Sequence, residues 1–293
     1  MGKSLGLCLL LACAAGAAET VWHEALAPHF EVHHEPTFMP PGFLMALEKI
    51  HGRLRLDLAM FAPWMAKERI KLYLHKDRDT YVNGEFTPPA WSNGIAYPGK
   101  KTVVVPDNPD RKEVLGVIAH ETTHLLFESY WEESHKRPPS WLNEGLATFE
   151  EAATSDKLGR APWYRAMVSF SEGPTVPMDK FLSIVPTQDS GLSDKALEDW
   201  YCQSFSIVTF FYQKHSRLQF KSFVSYLRDG KTLDEALWLT YRYQNADKFE
   251  KSWKLWLKDP KHRLLVESAG EAPAGKQAFA EPIGKIGSFK PLK

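Results

Sequence analysis

The segment around His120 combines an apolar helical pattern with residues that are costly to bury. Asp110 is a candidate N-cap for a helix predicted over residues 111–129. Apolar residues lie on nearly all sides of this helix, which predicts that it is buried: Val114, Leu115, Val117, Ile118, Leu125, Leu126 and Phe127. His120, Glu121 and His124 lie within it. The fold of this chain must therefore provide partners for three buried ionisable side chains.

The spacing of the two histidines predicts a metal site. Residues four apart on a helix differ by about 40° around the axis and by about 6 Å along it, so the imidazoles of His120 and His124 can converge on one ion. Glu121 is rotated by about 100° from His120, which places it near that ion but poorly for ligation. A carboxylate there can act as the general base for a water beside the metal. The alternative interpretation is a pair of hydrogen-bonded core histidines without a metal.

Glu144 is the candidate third ligand. Nineteen residues separate it from His124, which is enough to end one helix, cross a proline-containing loop and begin a second helix over residues 141–153. The neighbouring Gly145 removes a side chain where two helices must approach closely. Two histidines and one carboxylate leave the fourth position of zinc for water, as in catalytic sites, whereas structural zinc sites prefer four protein ligands. We therefore expect one Zn²⁺ per chain.

Two motifs carry a family resemblance. They are His-Glu-Thr-Thr-His at residues 120–124 and Trp-Leu-Asn-Glu-Gly-Leu-Ala at residues 141–147. Together they resemble the gluzincin zinc metallopeptidases and, within them, the peptidase MA-like group. The resemblance extends over residues 103–257, with a more diffuse similarity in the segment Trp200–Val208. It implies a zincin-like fold and peptide-bond hydrolysis.

The resemblance also implies a role for individual residues. It implies three zinc ligands: His120, His124 and Glu144. Glu121 is then the general base and later the proton donor. In related enzymes a downstream tyrosine or histidine stabilises the oxyanion, for which Tyr201 is the candidate and His215 a weaker one. A phenol can donate a hydrogen bond to a developing alkoxide without carrying charge. The alternative for Tyr201 is an aromatic side chain that packs in the core.

The segment Trp91–Tyr97 departs from the pattern of the gluzincin aminopeptidases. Those enzymes carry a glutamate upstream of the zinc helix that binds the free amine of the substrate, whereas Trp91–Tyr97 has no acidic residue. Aminopeptidase activity is therefore not expected. Two β-rich runs, Gly94–Tyr97 and Val103–Val105, could supply an edge strand that pairs with an extended peptide, or could be ordinary strands of a sheet.

The local patterns change character near residue 110. Short alternating runs and one helical stretch predict a β-rich subdomain over residues 19–110, and helical patterns predict a zinc-peptidase subdomain over residues 111–262. The expected fold class is α+β and zincin-like, with a small mixed β-sheet and a helix in the N-terminal half. The C-terminal half is mainly helical, and the active site lies between the halves. Residues 263–293, rich in Ala, Gly, Pro and Lys, are predicted to be a flexible tail.

Residues 1–18 have the features of a secretory signal peptide. A single basic residue, Lys3, precedes an uncharged apolar run, and small residues follow, which predicts cleavage near Ala17 or Ala18. The run is shorter than the roughly 18 apolar residues that a transmembrane anchor requires. A lipobox-like pattern ends at Cys13, so a lipid anchor there is the alternative. We expect a secreted or periplasmic protein.

The charge balance excludes one class of partner. The 36 Lys and Arg residues balance 36 Asp and Glu residues, so no net field attracts nucleic acid. Without residues 1–18, Cys202 is the only thiol, and we expect it to be buried and unreactive. The expected function is an exported zinc-dependent metallopeptidase that acts on peptides or proteins. The alternatives are a non-catalytic zinc-containing binding or scaffold protein with a zincin-like fold, and a metal-free wall- or carbohydrate-binding module.

Overall fold

A computed structural model describes residues 21–36, 39–186 and 191–270 of the 293-residue chain. The predicted signal peptide and residues 271–293 of the predicted tail lie outside these ranges, so both stay predictions. Within them, no helix has the length and apolar character needed to cross a membrane.

The described strands form one mixed sheet. They are β1 (His23–Leu26), β2 (Phe30–His34), β3 (Ile70–His75), β4 (Ile95–Tyr97) and β5 (Thr102–Pro106). Their order in the sheet is β1-β2-β3-β5-β4. The three central strands, β2, β3 and β5, run parallel, whereas β1 and β4 pair antiparallel with their neighbours at the two edges.

Eleven α-helices lie in the described ranges. They are α1 (Phe43–Leu58), α2 (Arg78–Asn83), α3 (Arg111–Glu132), α4 (Ser140–Ala152), α5 (Pro162–Phe170), α6 (Met178–Ser183), α7 (Asp194–Lys214), α8 (Arg217–Arg228), α9 (Leu233–Tyr241), α10 (Ala246–Leu257) and α11 (Lys261–Ala269). Nine of them follow the last strand. The predicted α+β class, with a mixed sheet in the N-terminal half and a mainly helical C-terminal half, is confirmed.

One face of the sheet is an apolar ladder set by strand register. Val32 of β2 pairs with Leu72 of β3, and Leu72 pairs with Val103 of β5. Leu74 and Val105 form the next pair on the same face, because side chains two apart on a strand point the same way. All five side chains belong to the hydrophobic core. The same core includes apolar side chains of the helices, so the central strands pack against these helices.

Helix α3 connects the sheet to the helical half. Its N-cap is Asp110, as predicted, and the carboxylate accepts hydrogen bonds from the backbone N–H groups of Lys112 at 2.9 Å and Glu113 at 3.4 Å. The helix packs against α1, β4 and β5 on one side and α4 on the other, and α4 in turn packs against α7. The segment of α3 that carries His120, Glu121 and His124 therefore lies between the two halves of the fold.

The predicted tail is helical in its first residues. Residues 263–269 belong to α11, which packs against α5 and the short 3₁₀ segment Leu158–Arg160. Gly159 permits this close approach, because a Cβ there would lie 2.3 Å from the carbonyl oxygen of Leu265. Arg160 Nε also donates to the carbonyl of Ala269 at 2.9 Å. The flexible-tail prediction is therefore wrong for residues 263–269, which long-range packing orders.

Candidate functional site

Helices α3 and α4 bring three of the predicted site residues together. The Nε2 atoms of His120 and His124 are 3.1 Å apart. Glu144 Oε2 lies 3.7 Å from His120 Nε2 and 3.6 Å from His124 Nε2. The two histidines lie one turn apart on α3, and Glu144 reaches them from α4. All three side chains are partly buried.

These three donor atoms form a triangle that suits one small cation. In a tetrahedral zinc site with bonds of about 2.1 Å, neighbouring ligand atoms lie about 3.4 Å apart, close to the 3.1, 3.6 and 3.7 Å separations found here. Two imidazole nitrogens and one carboxylate oxygen are ligands that zinc prefers. Unprotonated Nε2 atoms at 3.1 Å repel each other unless a proton or an ion lies between them. The residues therefore fit a zinc ion that keeps one coordination position open.

Glu151 anchors the other side of the His120 ring. Its Oε2 lies 3.0 Å from His120 Nδ1, the nitrogen that faces away from Glu144. A carboxylate bound to the second nitrogen of a ligand histidine fixes the tautomer and orientation of the ring. The sequence analysis missed this residue. Its signal was its position seven residues after Glu144, which is two helical turns and so the same face of α4.

The second histidine has a looser outer partner. Glu128 Oε1 lies 3.9 Å from His124 Nδ1, which is beyond hydrogen-bond distance. Asn143 Nδ2 holds the same Glu128 oxygen with a 2.7 Å hydrogen bond. Among the described residues, His124 Nδ1 therefore has no hydrogen-bond partner, and the Glu128 carboxylate lies close to the ring.

The carboxylates make this cluster attractive to positive charge. Burial alone would lower the pKa of His120, but hydrogen bonds to Glu144 and Glu151 outweigh burial and hold the pKa well above its ordinary value. Burial opposes protonation of His124 in the same way, yet the Glu144 carboxylate raises its pKa to about 9. Burial would raise the pKa of Glu144, but the charge of His124 and hydrogen bonds from both imidazoles lower it. A cation at this position would be stabilised by the same charges.

Glu121 is next to this cluster but is not part of the triangle. It lies under Gly94, the residue that precedes β4: a Cβ on Gly94 would lie 2.6 Å from Glu121 Cγ and 2.9 Å from Val117 Cγ1. Glycine is therefore required where the chain passes over this carboxylate. Burial raises the pKa of Glu121.

The structure distinguishes between the two candidate edge runs. Gly94–Tyr97 includes β4, which is at the end of the sheet and pairs with β5 on one side. Val103–Val105 belongs to β5, which lies between β3 and β4, so that its backbone is paired on both sides. Of the two candidate runs, only the one that begins at Gly94 thus lies at an edge of the sheet.

Tyr201 of α7 reaches the cluster from the helical side. Its hydroxyl lies close enough to Glu144 for the two groups to interact, and its ring lies 5.9 Å from that of Trp163 between ring centroids. Burial and the charges of Glu144 and Glu121 hold the pKa of Tyr201 well above its ordinary value, so the hydroxyl keeps its proton. The weaker candidate, His215, lies 14 residues farther along α7, about 21 Å away at the helical rise. The structure therefore separates it from the cluster.

A close helix contact places α7 beside α4. A Cβ on Gly145 would lie 2.6 Å from the carbonyl oxygen of Ser204 and 2.9 Å from Val208 Cγ2. The predicted close approach at Gly145 is confirmed, and α7 is the helix that makes it. This contact brings Tyr201 and Glu144 within reach of each other.

Cys202 takes no part in the cluster. Its side chain is buried, with 2% of its surface exposed. Burial and the carboxylates of Glu198 and Asp199 raise the pKa of the thiol to about 12. The predicted burial of this thiol is confirmed.

A second carboxylate pair lies in the interior. Asp57 of α1 and Glu150 of α4 are 0% and 1% exposed. Arg53 lies 3.3 Å from Asp57 Oδ2 and 3.6 Å from Glu150 Oε2, and Arg217 also pairs with Asp57. Burial, together with the charge of Asp57, raises the pKa of Glu150 well above its ordinary value. The neutral form of Glu150 is therefore favoured beside Asp57, an arrangement that sequence patterns did not indicate.

A further group of donor atoms, on His29, Glu48 and His51, does not have the geometry of a metal site. The two imidazole rings are stacked with centroids 3.8 Å apart and planes 12° apart, so their in-plane lone pairs run side by side. Both oxygens of Glu48 already accept hydrogen bonds, from the backbone N–H of His29 at 2.9 Å and from its Nδ1 at 2.7 Å. This group holds the turn before β2 against α1.

Comparison with known proteins identifies a related family. A family model described as the Peptidase MA superfamily matches residues 56–259. This range contains α3, α4 and α7, and with them all five predicted site residues. No curated protein matches the chain.

Proposed function

The chain belongs to the Peptidase MA superfamily, and on that premise we propose that it is an exported zinc-dependent metallopeptidase that hydrolyses peptide bonds. The observation that carries the proposal is the triangle formed by His120 Nε2, His124 Nε2 and Glu144 Oε2. Its dimensions and donor types fit zinc, and three protein ligands are typical of a catalytic site.

His120, His124 and Glu144 are the residues that would hold zinc. When bound, zinc supplies Lewis acidity, which polarises a peptide carbonyl and makes a water molecule easier to deprotonate. Glu151 supports this arrangement, because it holds the ring of His120 by Nδ1 and leaves Nε2 for the metal.

Glu121 is proposed as the general base. It is adjacent to His120 in sequence but rotated by about 100° around α3, so it can take a proton from the attacking water without competing as a ligand. The same carboxyl group then passes the proton to the leaving amine, which departs as a neutral product. Gly94 lies against its Cγ and limits how far this side chain can move.

Tyr201 is proposed to stabilise the developing oxyanion. Its hydroxyl lies at Glu144 and can turn to donate a hydrogen bond to a substrate oxygen in the cleft. A neutral hydrogen-bond donor that is already in place interacts more strongly with the oxyanion of the transition state than with the carbonyl of the substrate. This difference lowers the activation barrier.

Strand β4 is proposed to bind the substrate backbone. It is an edge strand of the sheet and starts directly after the glycine packed on Glu121. An extended peptide added to such an edge passes beside the general base. The segment Trp91–Tyr97 offers no carboxylate to bind a free amine, so we propose peptides and proteins as substrates without a requirement for a free N-terminus.

The decisive experiment combines metal analysis with peptide-library cleavage. Wild type is expected to carry one zinc per chain and to cleave peptides in a chelator-sensitive manner. Glu121→Gln is expected to keep its zinc and to lose about 10²–10⁴-fold in rate, the usual contribution of a general base. Glu132→Gln, an exposed carboxylate near the end of α3, is the matched control. Full activity of Glu121→Gln would overturn the mechanism. Zinc without cleavage of any peptide would favour the non-catalytic alternative.

Export is tested separately. The features of residues 1–18 support cleavage near Ala17 or Ala18 and a secreted or periplasmic location. N-terminal sequencing of the protein recovered outside the cytoplasm should begin at residue 18 or 19. A lipid-modified N-terminus at Cys13 would support the lipoprotein alternative instead.

A further inference from the structure

Helix α2 is hydrogen-bonded to the segment that precedes Gly94. The guanidinium of Arg78 donates three hydrogen bonds to this segment: Nη2 to the carbonyl of Ala90 at 2.5 Å, and Nη1 to the carbonyl of Ser92 at 3.1 Å and to Asn93 Oδ1 at 3.2 Å. One side chain thus holds three residues of the chain directly before the glycine that lies on Glu121.

A second residue of α2 holds the same segment from the interior. The hydroxyl of Tyr81 lies 2.8 Å from Ser92 Oγ, and Ser92 Oγ donates to the carbonyl of Pro89 at 2.9 Å. Tyr81 is fully buried, and Ser92 is 8% exposed. Burial is the main cause of the raised pKa of Tyr81, and the charge of Glu121 adds to it, so this contact is electrostatically close to the proposed base.

We propose that Arg78 is a positioning residue for the hydrolysis, because it fixes the segment Ala90–Gly94 against Glu121 and sets the start of strand β4. The proposal rests on the proposed peptidase function. It adds a role for α2, a helix that carries none of the predicted site residues. We call the contacts of Arg78 and Tyr81 with this segment the α2 clamp.

The segment needs such a clamp because it has little regular structure of its own. From Gly84 to Gly94 the chain forms neither helix nor strand, and Thr87 has a positive φ of 41°. In the part of the chain that the structure describes, the Glu121 carboxylate has no hydrogen-bond partner, so packing under Gly94 and Val117 restricts its position. If the segment moves, the wall over the general base and the edge strand for the substrate move together.

The chemistry of the clamp favours arginine. A planar guanidinium presents several N–H groups at fixed angles and can bridge separate acceptors, whereas an ammonium group acts as a point donor. Arg78→Lys should therefore restore only part of what Arg78→Ala loses. Misplacement of a catalytic group by about 1 Å can cost about 10²-fold in rate, and we expect Arg78→Ala to lower kcat by about 10- to 100-fold.

The test uses hydrogen–deuterium exchange beside kinetics. The matched control is Arg69→Ala. Nε of Arg69 donates a 2.9 Å hydrogen bond to the carbonyl of Ala27, between β1 and β2 and so toward the edge of the sheet opposite β4. The amides of residues 89–97 are expected to exchange faster in Arg78→Ala than in wild type, both with zinc and after chelation. The zinc content and Tm of Arg78→Ala should be close to those of Arg69→Ala. Arg78→Lys should be intermediate in both exchange and kcat.

Each outcome decides the proposal. Unchanged exchange over residues 89–97 would show that Arg78 does not hold the segment, and faster exchange with unchanged kcat would show that the clamp has no catalytic role. If Arg78→Ala does not fold, Tyr81→Phe keeps the packed ring and removes only the contact with Ser92, with the same expected direction in both readouts. A wild type that cleaves no peptide would overturn the proposed function instead, and the exchange data would still test the clamp.

Discussion

Glu151 Oε2 lies 3.0 Å from His120 Nδ1, while Nε2 of the same ring faces Glu144. The imidazole is thus held between two carboxylates on one face of α4, seven residues apart. One carboxylate belongs to the proposed ligand set and the other orients the ring. Helix α4 thus supplies one proposed ligand, Glu144, and orients a second, His120, through Glu151.

Replacement of Glu151 is expected to weaken metal binding. Loss of a carboxylate partner of a ligand histidine typically costs about 10–100-fold in metal affinity, so Glu151→Ala should bind zinc that much more weakly than wild type. Glu151→Gln, which retains an acceptor but no charge, should lose less. Competition with a chromogenic chelator measures both affinities, with Glu132→Gln as the control. Equal zinc affinity of Glu151→Ala and the control would contradict the role given to Glu151.

Replacement of Tyr201 by Phe is expected to lower kcat. The change removes one hydroxyl donor and keeps the ring that packs near Trp163. Loss of one oxyanion donor costs about 10²–10³-fold in rate, whereas zinc content should be unchanged. Steady-state kinetics on a cleaved library peptide measures the effect, and Tyr226→Phe on α8 is the control. A kcat equal to that of the control would assign Tyr201 to core packing.

Two helical glycines are expected to respond to alanine in opposite directions. Gly145→Ala places a Cβ 2.6 Å from the backbone carbonyl of Ser204, and such overpacking typically destabilises by about 1–3 kcal/mol. In Gly52→Ala the Cβ on α1 meets nothing within 4 Å, so the higher helix propensity of alanine should stabilise by about 0.5–1 kcal/mol. Urea unfolding measures both free energies. A neutral Gly145→Ala would mean that α7 can move away from α4 at no cost.

The Asp57–Glu150 pair is expected to make stability depend on pH. The pKa of Glu150 is raised in the folded protein above its ordinary value of 4.5. The folded state therefore binds this proton more tightly than the unfolded chain, and the stabilisation is complete at low pH and is lost as the pH rises through the folded pKa. The charges that face Glu150 are those of Asp57, Arg53 and Arg217.

Replacement of Glu150 by Gln should remove that dependence. The amide stays neutral, so the free energy of unfolding should fall less for Glu150→Gln than for wild type between about pH 5 and about pH 9. Urea unfolding at several pH values gives the comparison, with Glu132→Gln expected to follow wild type. Parallel curves for Glu150→Gln and wild type would show that Glu150 is not protonated in the folded state.

The site residues on each helix could be predicted because their geometry is local. The spacing of His120 and His124 places two imidazoles together wherever the segment is helical, and the helical period rotates Glu121 away from the point where they converge. The motif around Glu144 and the glycine beside it indicated a second helix and a close approach. The mixed sheet followed by helices could likewise be predicted from alternating and helical patterns along the chain.

Only the tertiary structure decided which distant segments meet. Strand order determined that the run at Gly94–Tyr97, and not Val103–Val105, is the sheet edge, and long-range packing ordered residues 263–269 as a helix. The contacts of Arg78 with the segment before Gly94 likewise join residues that no local period relates. The sequence by itself determined the chemistry of the site, because helical spacing is a property of neighbouring residues. The fold decided what surrounds that chemistry, because contacts between separate helices and strands depend on how the whole core packs.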